Sequence, residues 1–241
     1  MLLTNLESNY SLLRIKEILG FKLSNMTGPI KFDIQLSDEQ KDAKRIILEN
    51  DITLVLGGAG SGKTLVAVQT AMDLFFKKEC EKIYFARPAV TADENLGFLP
   101  GNLKDKLEEF ILPVLENLCT VYGSTKSKQD KITKHLEEKD WEILSIGHLR
   151  GRTFTNSIIV VDECQNVTIR QMALILTRLG HGSKMILTGD LAQHDLKHYT
   201  ESGMRRLLSV IPRINGMAEV TLKDNFRSGV VKEIIEIWDT L

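Results

Sequence analysis

The sequence predicts an α/β fold, a mostly parallel sheet with helices on both faces, and three observations carry that expectation. From Leu36 onward, apolar β-branched runs alternate with segments of helical periodicity. A glycine-rich octapeptide, Gly57-Gly58-Ala59-Gly60-Ser61-Gly62-Lys63-Thr64, joins one apolar run to a helix. A later run, Ile158-Ile159-Val160-Val161, ends in the carboxylates Asp162 and Glu163. In open α/β sheets ligands bind beyond the carboxyl ends of the strands, so both motifs fall where such a site is built.

Strands are expected at 52–56, 82–86, 142–146, 157–161, 184–188 and 218–222, whose apolar cores suit burial on both faces. Residues 1–35 read as a helical extension: Leu12 to Leu19 has helical periodicity closed by Gly20, and Gly28-Pro29 marks a turn. Residues 36–241 then form the main domain. Within it a helix follows the glycine loop over 65–74, and another spans 170–179 and stops at Gly180. The stretch 126–140 is rich in both charges and reads as a solvated helix or loop, and 230–241 as a closing amphipathic helix. No repeat or low-complexity tract interrupts this order.

Composition sets bounds. The 241 residues are 43% hydrophobic and 26% charged, as in ordinary soluble domains, and the length suits one large α/β domain with at most a small appendage. Lys and Arg number 31 against 32 Asp and Glu, a net charge of -1, so a nucleic-acid role would rest on a local basic face. Cys80, Cys119 and Cys164 show no paired metal spacing, and their odd count argues against a disulfide framework. No apolar run approaches the ~18 residues of a membrane span, and the start lacks a basic region followed by an apolar core. A reduced cytoplasmic setting is the expectation.

The octapeptide fits the phosphate-binding P-loop at each constrained position. Its glycines let backbone amides, from Gly57, Gly58, Ala59, Gly60, Ser61 and Gly62 through Leu65, turn toward a phosphate chain at a helix N-terminus. Lys63 is expected to reach the β- and γ-phosphates of ATP, and the Thr64 hydroxyl to sit on Mg²⁺. Asp162 is expected to hold the metal through water and Glu163 to orient and deprotonate the attacking water. The run Thr188-Gly189-Asp190-Leu191-Ala192-Gln193 brings polar groups to the same sheet edge, where Gln193 is expected to sense the γ-phosphate. The alternative for this run is a Gly-Asp turn that merely closes a strand.

Together the P-loop, Asp162-Glu163-Cys164-Gln165 and the Thr-Gly-Asp-x-x-Gln run resemble the first motor domain of superfamily-one helicases. More closely, Ala86-Arg87-Pro88-Ala89-Val90, Gly97-Phe98-Leu99-Pro100-Gly101 and Leu149-Arg150-Gly151-Arg152-Thr153-Phe154 resemble the PhoH family of P-loop ATPases. The resemblance runs from about Leu36 to Trp238. It implies a single RecA-like motor domain, Mg²⁺-dependent ATP hydrolysis and an oligomer acting on single-stranded RNA or other nucleic acid.

The same resemblance assigns further residues. Gln40, in Leu36-Ser37-Asp38-Glu39-Gln40, is a candidate reader of adenine, since an amide can grip the N6/N7 edge of that base. Ser37 and Gln40 could equally form a helix capping box, and both roles are compatible. Arg87, Arg150 and Arg152 are candidates for contact with nucleic acid, with the nucleotide or with a neighbouring subunit. Arg227, in Leu222-Lys223-Asp224-Asn225-Phe226-Arg227-Ser228, is expected to act as an arginine finger in trans, which implies a closed ring such as a hexamer. A role within its own subunit, or as an exposed residue starting the last helix, is the alternative. Two other functions remain in view, an ATP-gated oligomeric scaffold and a small-molecule kinase. The kinase is disfavoured because a positioned water base suits hydrolysis. The acidic residues form no separate nuclease constellation, so cleavage would need a partner.

Overall fold

The computed structural model describes residue 32 and residues 34–88, 103–193 and 201–238. The expected N-terminal helix and the Gly97–Gly101 motif lie outside these residues, as do Ala89 and Val90. Six strands are present: β1 Ile52–Gly57, β2 Lys82–Arg87, β3 Trp141–Ser145, β4 Ser157–Val161, β5 Lys184–Gly189 and β6 Met217–Leu222. They form one sheet in the order β3-β2-β4-β5-β1-β6, every neighbouring pair parallel. All six expected strands are found, with ends shifted by at most one residue.

The helices are α1 Asp38–Glu49, α2 Lys63–Phe76, α3 Leu103–Tyr122, α4 Lys126–Glu137, α5 Ile169–Leu176, α6 Gly203–Val210 and α7 Gly229–Trp238. The charged stretch after 126 is therefore helical, with Ile132, Thr133 and Leu136 on its buried side. Helix α5 stops three residues before the expected 179 for a tertiary reason. Leu179 bridges to Phe154, and the Phe154 amide donates to the Arg178 carbonyl at 3.0 Å, so the chain leaves the helix to pair with the segment entering β4.

Strand alternation divides the apolar residues between two cores, one on each side of the sheet. Val55, Ile83, Phe85, Ile158, Val160 and Ile186 pack with α1 to α4. Leu54, Tyr84, Ile159, Val161, Met185 and Leu187 pack with α5 and α6. A sheet buried on both faces leaves its strand ends as the place for polar chemistry. With all strands parallel, the segments following each of them emerge along one edge. No helix among the described residues is long and apolar enough to cross a membrane.

Candidate active site

The edge is built from the segments that follow β1, β2, β4, β5 and β6. After β1, Gly60 and Gly62 take left-handed backbone conformations, with φ of 85° and 83°, and Gly62 caps α2. Any side chain on these glycines would be strained by the conformation alone. It would also collide: a Cβ on Gly62 would run into the Gln40 amide, and one on Gly60 would lie 2.6 Å from Arg227 Cγ. The loop therefore opens its backbone at the start of a 14-residue helix. Ser61 Oγ is buried there and finds no hydrogen-bond partner among the described residues.

Lys63, the first residue of α2, donates from Nζ to the Gly57 carbonyl at 2.7 Å and the Gly58 carbonyl at 2.9 Å. Its ammonium thus folds back over the loop it is expected to serve. Burial pushes its pKa below the ordinary lysine range, the carboxylates of Asp190, Glu163 and Asp162 pull it back upward, and Arg227 adds to the downward push. Thr64 Oγ1 donates to Asp162 Oδ1 at 2.9 Å, and the Thr188 hydroxyl, from the end of β5, donates to the same oxygen. A hydroxyl and a carboxylate held together beside an ammonium are hard oxygen ligands next to a phosphate-seeking cation, so the donor set fits a Mg²⁺-phosphate chain.

Glu163 is the geometric centre of the remaining polar groups. Its backbone is left-handed (φ 59°, ψ 41°), a conformation uncommon for a residue with a side chain and one that turns the chain sharply after β4. Both carboxylate oxygens are engaged: Oε1 accepts from Arg87 Nη2 at 3.2 Å, and Oε2 accepts from Gln165 Nε2. Gln165 is 4% exposed, and its Oε1 accepts the Asp190 amide at 3.2 Å. It therefore bridges the carboxylate after β4 to the turn after β5. Gln165 has no assigned role on sequence spacing alone. The signal was available in the Asp-Glu-Cys-Gln run, but the partner that fixes its orientation comes from another strand.

Several sequence assignments meet different surroundings. Gln193 is exposed, and among the described residues it makes no hydrogen bond to Lys63, Asp162 or Glu163. Gln165 is a buried amide at this edge. Gln40 closes the capping box with Ser37, its Oε1 accepting the Ser37 amide at 3.1 Å, and its Nε2 donates to the Ser61 carbonyl at 3.2 Å. Gln40 thus caps α1 and braces the P-loop, with one lone pair and one N–H of its amide left over. Arg152 is half-buried. It forms an ion pair with Glu142 at 3.3 Å and stacks on Tyr84 and Phe154, at 5.1 and 5.0 Å from their ring centres, so its guanidinium is engaged within the fold. Arg150 is exposed after the short 3-10 helix Ile146–Leu149 that follows β3. Arg87, a candidate for contact with nucleic acid, the nucleotide or a neighbouring subunit, pairs with Glu163 at 3.2 Å in this structure.

Arg227 lies beside the P-loop of its own chain, the arrangement that the own-subunit alternative describes. The Phe226 amide donates to the Gly60 carbonyl at 3.0 Å, and a Cβ on Gly60 would meet Arg227 Cγ, Cδ and Nε within 3.0 Å. The side chain runs along its own subunit's P-loop. Helix α1 supports this placement, for Glu39 accepts the Lys223 and Asp224 amides at 2.8 and 2.9 Å.

The sequence pattern of the PhoH-like protein family matches residues 34–239. A PhoH-like protein of Synechocystis sp. is 37% identical over 202 residues, covering 83% of this chain and 60% of its relative. A PhoH-like protein of Bacillus subtilis is 38% identical over 202 residues, covering 83% and 62%. The chain therefore spans a little under two thirds of these relatives' length. Among solved structures, a Pif1 helicase from Candida albicans aligns with a TM-score of 0.45 at 19% identity, covering 86% of this chain and 43% of that one. Bacteroides Pif1 bound to ssDNA aligns with a TM-score of 0.42 at 17% identity, covering 86% and 46%. With its P-loop on an all-parallel sheet and a family match over most of its length, the chain belongs to the PhoH-like family of P-loop NTPases.

Proposed function

We propose that the chain is a Mg²⁺-dependent ATPase whose turnover responds to single-stranded nucleic acid. The observation that carries the hydrolytic reading is the pairing of Thr64 with Asp162 at 2.9 Å, with Glu163 the next residue along the chain. Thr64 and Asp162 would hold Mg²⁺, which when bound neutralises charge between the β- and γ-phosphates. Lys63 exchanges its two carbonyl partners for phosphate oxygens and stabilises charge that develops on them. Glu163 takes a proton from water when a carboxylate oxygen turns toward it. Gln165 links that carboxylate to the Asp190 turn, so a change at one is transmitted to the other. Arg227, lying along Gly60, serves the nucleotide of its own subunit.

The nucleic-acid part of the reading is supported by the chemistry at the ends of β2 and β3. Arg87, His148 and the exposed Arg150 lie on segments at neighbouring strand ends, and guanidinium groups bind backbone phosphate bidentately.

The test is ATP turnover by purified protein, with and without short single-stranded RNA or DNA over a salt series. Lys63→Ala is expected to cost at least ~10²-fold in turnover. Glu163→Gln is expected to keep binding a fluorescent ATP analogue while losing ~10²–10⁴-fold in turnover. Wild-type hydrolysis by Glu163→Gln sinks the assignment of the base. A polymer stimulation that fades with added salt is the expected sign of phosphate contact.

A further inference from the structure

We infer that Arg87 is a latch on Glu163, released when a phosphate of single-stranded nucleic acid takes the guanidinium. The inference rests on the reading of Glu163 as the base and adds the residue that controls it. A base that accepts a proton from water must turn a carboxylate oxygen toward that water. In this structure both oxygens are turned toward protein donors, Oε1 toward Arg87 Nη2 at 3.2 Å and Oε2 toward Gln165. Each oxygen keeps a second lone pair, but the two donors fix where the carboxylate points, so turning it toward a water requires one of them to let go.

The surroundings decide which. Gln165 is 4% exposed, and its amide oxygen is fixed by the Asp190 backbone. Arg87 is the last residue of β2, a long side chain 21% exposed, paired with a carboxylate 35% exposed. This ion pair is half-buried and reaches water at both partners, so another anion can exchange for the carboxylate. The guanidinium fork matches a phosphodiester as well as it matches a carboxylate. In register with Arg87 on the next strand is Ser145, whose hydroxyl pairs with His148 Nδ1 at 2.7 Å, and the exposed Arg150 follows the same short helix. A backbone laid across the ends of β2 and β3 would therefore meet further polar and cationic groups beside Arg87.

Arg87 is a positioning residue on this view, and coupling between the two ligands of its guanidinium is reciprocal. If polymer phosphate frees Glu163, removing the Glu163 charge must strengthen polymer binding. The first measurement is binding of a short labelled oligouridylate, and of its deoxythymidylate counterpart, by anisotropy without nucleotide. Glu163→Gln is expected to bind at least about 5-fold more tightly than wild type, and Arg87→Ala combined with Glu163→Gln is expected to show no gain over Arg87→Ala alone. The second measurement is ATP turnover without polymer. Arg87→Ala is expected to raise it and to abolish stimulation, while Arg87→Lys, a point charge without the fork, restores part of both.

Unchanged polymer affinity in Glu163→Gln overturns the latch. So does a fall in polymer-free turnover in folded Arg87→Ala protein, which would make Arg87 a support that the working base needs. An equal affinity gain toward inorganic polyphosphate overturns the assignment to nucleic acid. If the wild-type protein hydrolyses no ATP under any of these conditions, the reading of Glu163 as base fails and the latch falls with it. Normal turnover with either of the first two results removes the latch alone.

Discussion

Lys63 is held between opposing influences, and its titration follows from them. Burial lowers its pKa in the free protein, and a bound phosphate chain restores the charged form. In the pH window between the two values the bound protein carries the proton that the free protein has lost. Binding therefore takes up a proton there, and affinity falls as pH rises through Lys63's lowered value. Calorimetry of an ATP analogue in buffers of different ionisation enthalpy should detect that uptake on the alkaline side, below the ordinary lysine range. Its absence in wild type, or its persistence in Lys63→Ala, would remove Lys63 as the source. Positions such as Lys63, Thr64 and Asp162 were legible in the sequence because they are set by local spacing and by the end of an apolar run. The partners of Gln165, Thr188 and Arg87 were not, because each is tied to a group brought from another segment of the chain. Arg87 lies 76 residues from Glu163, and Thr188 lies 26 from Asp162.

The first turn of α1 ties together two loops that the sheet only brings near each other. Gln40 reaches the P-loop through the Ser61 carbonyl, while Glu39 accepts two amides from the turn after β6. Ser37 Oγ adds a bond to Asp224 at 3.2 Å. Glu39→Ala is expected to free the turn that carries Arg227. It should raise the KM for ATP several-fold and lower stability by about 1–2 kcal/mol, read from urea unfolding. Lost stability with an unchanged KM would limit Glu39 to a structural role. The capping box of this helix could be read from Ser37 and Gln40, since it needs only four consecutive residues. The role of Glu39 could not, because its partners lie 184 and 185 residues away. Strand positions were read nearly to the residue because two-sided burial demands continuous apolar runs. The end of α5 was misjudged because it is set by the bridge from Leu179 to Phe154 rather than by Gly180.

At the scale of the whole molecule, Arg227 decides how subunits would depend on one another. On the proposed reading, an arginine lying along its own P-loop would complete each ATP site in that residue without a neighbour. Mixing Arg227→Ala with Lys63→Ala protein is therefore expected to give no recovery of ATP turnover, even in assemblies proved to contain both. Recovered activity would instead assign Arg227 to a neighbour's nucleotide and restore the ring-based expectation.

The strand order has a consequence for biosynthesis as well. The P-loop's strand, β1, lies between β5 and β6, the last two strands of the described chain. The glycine loop is thus translated early, yet its supporting strand gains both neighbours only when nearly all of the sheet has emerged from the ribosome. Until then the strand that carries the glycine loop lacks both of its neighbours, and the P-loop edge is among the last parts of this sheet to be completed.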